Sequence, residues 1–449
     1  MSDGRRLAHE VLIRVERDRA WANVTLDAAL RGASGLPSRE RGLATELVYG
    51  TLRRALALDW ALSHYSERPI EALDPEVRAA LRLGAYQILH LRVPDRAAVH
   101  TTVDLIAQGK HRRAKGFINA VLRRLAADGL PPLPDAALDP AGALLAKEGL
   151  PQWLYALWAE ALPSGELEAV AAEVNQPVPQ ALRAPSPAAR DEAVAWFLEA
   201  KGPGGAALKA SPSPLAPQAL FVEGGTSPDQ LPGFEALRLQ PQDVAAQLVS
   251  HFAVAPGAEP LAPTRVLDAC AAPGGKTCHL AQLLPEATVV ATELHRRRAE
   301  RVQQEATRLG LSERVEAHAA DATLPLPFAE EGSFDLILLD APCSGLGTLR
   351  RHPEIKLIRD LADLERLADL QGRLLENAAR YLRPGGRLVY AVCTWSPQEG
   401  PEQVARFLDA HPDFALEPGP DGPTLETWPH REGADGFYAV RLRRAPSPA

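Results

Sequence analysis

The sequence predicts an α/β protein in three parts: an all-α domain over 1–130, a small α/β connecting domain over 140–260, and a doubly wound, mostly parallel sheet over 261–445. Three observations carry this reading. From Arg5 to about Leu125 apolar residues recur at three- and four-residue spacing, as in Leu7, Val11, Leu12 and Val15, which is the period of a half-buried helix. Pro131, Pro132, Pro134 and Pro140 then interrupt the chain. Beyond Pro263 short apolar runs alternate with helical stretches, the pattern of strands buried on both faces of a parallel sheet.

In the first part, Asp74-Pro75-Glu76 reads as an N-cap, a first-turn proline and an acid that favours a helix start. The helix it opens runs through Leu81, Ala85, Ile88 and Leu89. Lys110, His111, Arg112, Arg113 and Lys115 form the densest basic cluster, just before the last helix. The middle part mixes helix-like stretches such as Leu167–Val174 with runs rich in proline and glycine. In the third part, Val266–Ala269, Thr288–Thr292, Val315–Ala319, Leu336–Leu339 and Leu388–Val392 read as strands.

The 449 residues carry a formal net charge of −8, but the charge is unevenly spread. Residues 1–126 hold 21 Lys/Arg against 14 Asp/Glu, a net of +7, and the remainder has a net of −15. That asymmetry points either to a polyanion partner for the N-terminal part or to a helical domain with arginine on its solvated faces. Four cysteines, Cys270, Cys278, Cys343 and Cys393, show no paired spacing suited to zinc, so no metal is expected. The first ten residues are charged where a signal peptide needs an apolar run, and no stretch of about 18 apolar residues occurs. These features predict a soluble, cytoplasmic protein with reduced thiols and no membrane partner. Oligomeric state is not legible.

Strand Arg265–Asp268 leads into Cys270-Ala271-Ala272-Pro273-Gly274-Gly275-Lys276 and then a helix. A glycine pair at a strand-to-helix turn lets backbone N–H groups approach a ligand closely. Glu293, Asp321 and Asp340 follow the next three strands, at the sheet edge where open α/β sheets bind ligands. A nicotinamide-binding fold competes, but its GxGxxG spacing is missing. Cys343 and Cys393 both sit just beyond strand ends, at the same edge, whereas Cys270 and Cys278 read as inert small hydrophobes.

Asp268–Thr277, Asp340-Ala-Pro-Cys-Ser-Gly345, Arg351-His-Pro-Glu-Ile-Lys356, Cys393-Thr394 with Ser396-Pro397, and Gly436–Leu442 resemble the RNA cytosine-5 methyltransferases. Leu83–Gln87 and Gly116–Arg123 resemble the NusB-like domain that precedes this catalytic domain in the bacterial small-subunit ribosomal RNA enzymes. The resemblance implies a Rossmann-like class I methyltransferase fold, S-adenosylmethionine as cofactor, and 16S ribosomal RNA as partner, with DNA not expected. It implies that Cys270–Lys276, Glu293, Asp321 and Asp340 contact the cofactor, that Cys393 is the nucleophile, and that Cys343 releases the product. It also points Lys356 toward the substrate or the active-site loop, and Arg351 toward the substrate. The chemistry gives a reason for two thiols. Carbon-5 of cytosine is a poor nucleophile until a thiolate adds to carbon-6, and a base must then remove the carbon-5 proton. Asp340 is suited to the exocyclic amine, a hydrogen-bond donor. The same chemistry on transfer RNA, and a non-catalytic RNA-binding assembly factor, are the alternatives at this point.

Overall fold

The computed structural model describes residues 3–107, 110–163, 165–202, 205, 207–224, 228–257 and 261–447. The chain divides into two compact units, Met1–Pro177 with Leu349–Asp360, and Val178–Thr348 with Leu361–Ala449.

The first unit is helical. Six helices, Asp3–Arg17, Ala22–Gly32, Ser38–Ser63, Pro75–His90, Asp95–Leu105 and Lys115–Asp128, make the expected all-α domain. The Asp74 carboxylate accepts from the Glu76 N–H, and Pro75 occupies the first turn, where no backbone donor is needed. Leu47, Leu58, Leu81, Ile118 and Leu122 meet in one buried core. Gly84 permits that meeting, because a Cβ there would lie 2.5 Å from Leu122 Cδ1. The largely buried Arg82 guanidinium is neutralised by Glu16 at 2.8 Å and Asp59 at 2.6 Å, which ties three helices together.

Helices Pro140–Glu148, Gln152–Ala161 and Glu166–Glu173 belong to this unit as well. Arg54 pairs with Glu148 at 2.8 Å, and Asn175 Nδ2 donates to the Glu148 carbonyl at 2.7 Å. The connecting segment expected over 140–260 is therefore split between the two units.

Leu349–Asp360, far along the sequence, completes the helical unit. The fully buried Glu354 accepts from the Ala22 N–H at 2.9 Å, at the start of helix Ala22–Gly32. His352 lies edge-on to Trp21. Lys356 donates to the Arg53 carbonyl at 2.8 Å and to Asn175 Oδ1 at 3.1 Å, and only 5% of it is exposed.

The second unit holds two sheets. The smaller is antiparallel, with strands β1 (Gln180–Arg183), β2 (Lys209–Pro212), β3 (Ala219–Glu223) and β4 (Gln240–Pro241) in the order β2-β3-β1-β4. The larger contains β5 (Arg265–Asp268), β6 (Thr288–Glu293), β7 (Val315–Ala319), β8 (Phe334–Asp340), β9 (Leu382–Val392), β10 (Phe414–Leu416), β11 (Thr424–Thr427) and β12 (Phe437–Arg444). Its order is β10-β12-β9-β8-β5-β6-β7, with β11 also paired to β12. From β9 to β7 every pairing is parallel, as the buried apolar runs predict, and β12 runs antiparallel to β9, with β10 and β11 paired to its other side. Strand order reverses between β5 and β8, so a crevice opens beyond their carboxyl ends.

Burial pulls the Lys356 pKa down from 10.5 to about 7, and Arg54 acts in the same direction. The unfolded chain then binds this proton more tightly than the fold between those values, so Lys356 adds stability as pH rises from 7 toward 10.5. Chemical denaturation at a series of pH values should show wild-type stability climbing faster than that of Lys356→Met, by up to about 1.4 kcal/mol per pH unit. Parallel curves for the two proteins would remove Lys356 as the source.

Candidate active site

The carboxyl ends of five strands of the larger sheet, β5 to β9, supply the residues of the crevice. β5 ends at Asp268, almost fully buried, whose Oδ2 accepts from Thr277 Oγ1 at 2.6 Å. Burial raises the Asp268 pKa to about 6, against the opposing effect of the Thr277 hydrogen bond. The turn Cys270–Gly274 then reverses into helix Gly275–Leu283. Gly274 adopts φ +103°, and a Cβ there would press to 3.3 Å from the Val302 backbone, so glycine alone fits without strain.

The turn is braced from the smaller sheet. Arg183 at the end of β1 is wholly buried, donating to the Gly275 carbonyl at 2.7 Å, to Gln282 Oε1 at 3.0 Å, and to Gln240 and Gln242. No carboxylate balances it among these partners, and burial lowers its pKa to about 9. Nothing in the short run Gln180–Arg183 marks this role in the sequence.

Glu293 closes β6, buried, with Oε1 accepting from the His295 N–H at 3.1 Å and Arg298 at 3.5 Å from Oε2. Asp321, two residues past β7, accepts from the Thr323 N–H and hydroxyl on Oδ1, and these bonds hold its pKa below the usual value. Its Oδ2 has no hydrogen bond among the described residues. Asp340 ends β8, and its Oδ2 accepts from Lys276 Nζ at 2.6 Å. Burial works against the Lys276 ammonium, but Asp340 more than offsets it and keeps the lysine charged. Lys276 also lies 4.9 Å over the Phe437 ring, and a negative charge on Cys393 would favour its ammonium further.

The two loop cysteines meet. Cys343 and Cys393 sulfurs are 3.1 Å apart, although 50 residues separate them in sequence. Ser344 and Thr394 hydroxyls bond at 2.8 Å beside them, and the Gly347 N–H donates to the Cys393 carbonyl at 3.0 Å. The hydrogen bond to Cys393, burial, and the charges of Cys393, Glu399 and Asp340 push the Cys343 thiol pKa well up. Burial does the same to Cys270 and Cys278, which keeps them as thiols. Lys356, expected toward the substrate, is buried on the segment Leu349–Asp360. Its ammonium is consumed by Arg53 and Asn175 within the helical unit, and Arg351 lies partly exposed on the same segment.

Comparison with known proteins matches residues 258–443 to the 16S rRNA methyltransferase RsmB/F family and residues 2–127 to the NusB family. The chain is 34% identical to the "Probable ribosomal RNA small subunit methyltransferase B" of Bacillus subtilis (strain 168), over 98% of each chain. The chain belongs to the RsmB/F family. The corresponding methyltransferase B of Salmonella paratyphi B is 36% identical over 90% of each chain. Among solved structures, PH0851 superposes with a TM-score of 0.81 at 25% identity, covering 99% of both chains. NSun6 from Pyrococcus horikoshii with SFG gives 0.56 at 20% identity, over 66% of this chain and 99% of that one, a likeness of fold.

The methyl donor of this RsmB/F chain is S-adenosylmethionine. The crevice fits it: a strain-free glycine turn at a helix start, and carboxylates with open acceptor capacity at the end of β6 and just past β7. Glu293→Ala is expected to weaken S-adenosylmethionine binding about 5- to 150-fold, the equivalent of about 1–3 kcal/mol for a buried acceptor. Calorimetry giving the wild-type affinity would take Glu293 out of the site.

Proposed function

We propose that the protein methylates carbon-5 of a cytosine in 16S ribosomal RNA, with Cys393 as nucleophile and Cys343 as the base that frees the product. The observation that carries this reading is the pair of sulfurs 3.1 Å apart beside the Lys276–Asp340 ion pair. Two thiols at one ligand-binding edge suit a reaction that needs one sulfur to add and another to take a proton. The names of the relatives supply the ribosomal substrate.

The Cys270–Lys276 turn, Glu293 and Asp321 would hold S-adenosylmethionine, the glycine turn at its polar end and the acids at ribose hydroxyls. Bound there, the cofactor supplies an electrophilic methyl group. Lys276 places a positive charge where a Cys393 thiolate needs one. Cys393 adds to carbon-6 of the base, and Asp340 receives the exocyclic amine. Once carbon-5 carries its methyl group, Cys343 takes the carbon-5 proton and Cys393 departs.

The electrostatics favour that order. Before addition, Cys343 holds its proton largely because Cys393 is its hydrogen-bond partner. Once Cys393 is bonded to carbon, the largest of those causes is gone, and Cys343 ionises more easily at the step that needs a base.

Within the basic cluster, Lys110 lies 3.3 Å from Glu76 and His111 3.2 Å from Asp74, whereas Arg112, Arg113 and Lys115 have no acidic partner among the described residues, and the two arginines are the exposed ones. The balance of charge over 1–126 then reads as an RNA-facing surface. Removing 1–126 outright would strip the partners of Glu354 and Lys356, so point changes test this better.

Cys393→Ala should abolish both turnover and covalent attachment to RNA. Cys343→Ala should instead accumulate a protein–RNA complex that survives denaturing electrophoresis. The reverse pattern would exchange the two roles. Replacing Arg112 and Arg113 together by Ala should weaken RNA binding and lower the slope of log affinity against log salt by about 1.5–2, with S-adenosylmethionine binding unchanged. An unaltered slope would mark the cluster as solvated surface.

A further inference from the structure

Cys343 lies on a loop that leaves β8 after Asp340, where ladder bonding to β9 ends at Ala341. The peptide groups on both sides of it are nevertheless fixed. Gln371, fully buried on helix Leu361–Tyr381, donates from Nε2 to the Pro342 carbonyl at 2.9 Å. Glu399, fully buried beyond β9, accepts from the Ser344 N–H at Oε1, 2.8 Å away. Gln371 Nε2 also donates to that same Glu399 Oε1 at 3.0 Å, so the two braces are joined. The Tyr390 hydroxyl holds the frame, 3.1 Å from Gln371 Oε1 and 2.5 Å from the Glu399 carbonyl. A carboxylate is costly to bury, and this one spends its oxygen on the backbone beside a reactive thiol.

We propose that Gln371 and Glu399 are positioning residues for product release, aiming the Cys343 sulfur at the carbon-5 proton without touching the base. This rests on the reading of Cys343 as the release cysteine. In that step the carbon-5 proton passes to the Cys343 thiolate, and the C5–H electron pair re-forms the C5–C6 double bond. The C6–S bond breaks, and its pair leaves with Cys393 as a thiolate. The step needs the base sulfur in line with one C–H bond, and a displacement of about 1 Å can cost on the order of 100-fold in rate. A second consequence is electrostatic. Glu399 is among the charges that hold the Cys343 proton on, so its charge sets the pH at which Cys343 acts.

The test uses the full chain with an unmethylated 16S ribosomal RNA transcript and S-adenosylmethionine, comparing Cys343→Ala, Glu399→Ala, Gln371→Leu and Glu399→Gln. The readouts are the fraction of protein in a denaturation-resistant RNA adduct, the rate at which it disappears, and cofactor affinity. Glu399→Ala and Gln371→Leu should accumulate adduct as Cys343→Ala does, with release slowed about 10- to 100-fold and cofactor affinity unchanged. Glu399→Gln keeps an acceptor for the Ser344 N–H. It should restore release, with the pH of half-maximal release moved down because the negative charge beside the thiol is gone. Adduct in Cys343→Ala alone, with the other variants binding cofactor normally and releasing at the wild-type rate, overturns the inference. If Glu399→Ala does not fold, wild-type release by Gln371→Leu with an unshifted pH profile for Glu399→Gln overturns it equally. No adduct in Cys343→Ala sinks the underlying reading instead.

Discussion

The parallel pairing of β8 with β9 is the constraint on which the rest of the candidate site depends. Register sets Asp340 opposite Ala391, and the Ala341 N–H closes the ladder on the Ala391 carbonyl. Cys343 and Cys393 then stand three and two residues beyond that last rung, which is why their sulfurs meet. A one-residue slip would send one of them to the opposite face of the sheet. The apolar interior of β8 and β9, buried on both sides, is what specifies the register. Core packing and thiol geometry are thus one requirement.

Charge at the crevice is arranged with equal economy. Lys276 belongs to the glycine turn, Asp340 to the end of β8, and their contact ties the cofactor side of the crevice to the thiol side. Neither ion is exposed enough for water to screen it fully, and the contact with Asp340 keeps Lys276 charged against the cost of its burial. Arg183 solves a different problem by other means. It is buried against amide and carbonyl oxygens rather than a carboxylate, and it holds the turn from the far side.

Much of the larger sheet was legible from sequence, because buried strands leave apolar runs whose ends carry the acids and cysteines. Val315–Ala319 was placed to the residue, and the runs at 266, 288, 336 and 388 each fall within an observed strand or overrun it by one residue. The smaller sheet was not legible: its strands are two to five residues long and interrupted by proline and glycine, which leaves no period to read. Lys356 shows what motif position leaves out. It lies among catalytic strings, but its surroundings are decided by Arg53 and Asn175, 303 and 181 residues away. Gln371, Glu399 and Arg183 left no signal either, since a buried polar side chain is recognised by its partners, and those are set by tertiary contact.

The segment Leu349–Asp360 carries a consequence for biosynthesis. Glu354 and Lys356 satisfy backbone groups at Ala22 and Arg53, so the helical unit lacks part of its interior until residue 360 has emerged from the ribosome. Domains that are contiguous in sequence can finish folding in the order they are made. Here the earliest-synthesised unit waits for a piece encoded within the later one, and the two must mature on overlapping schedules rather than in succession.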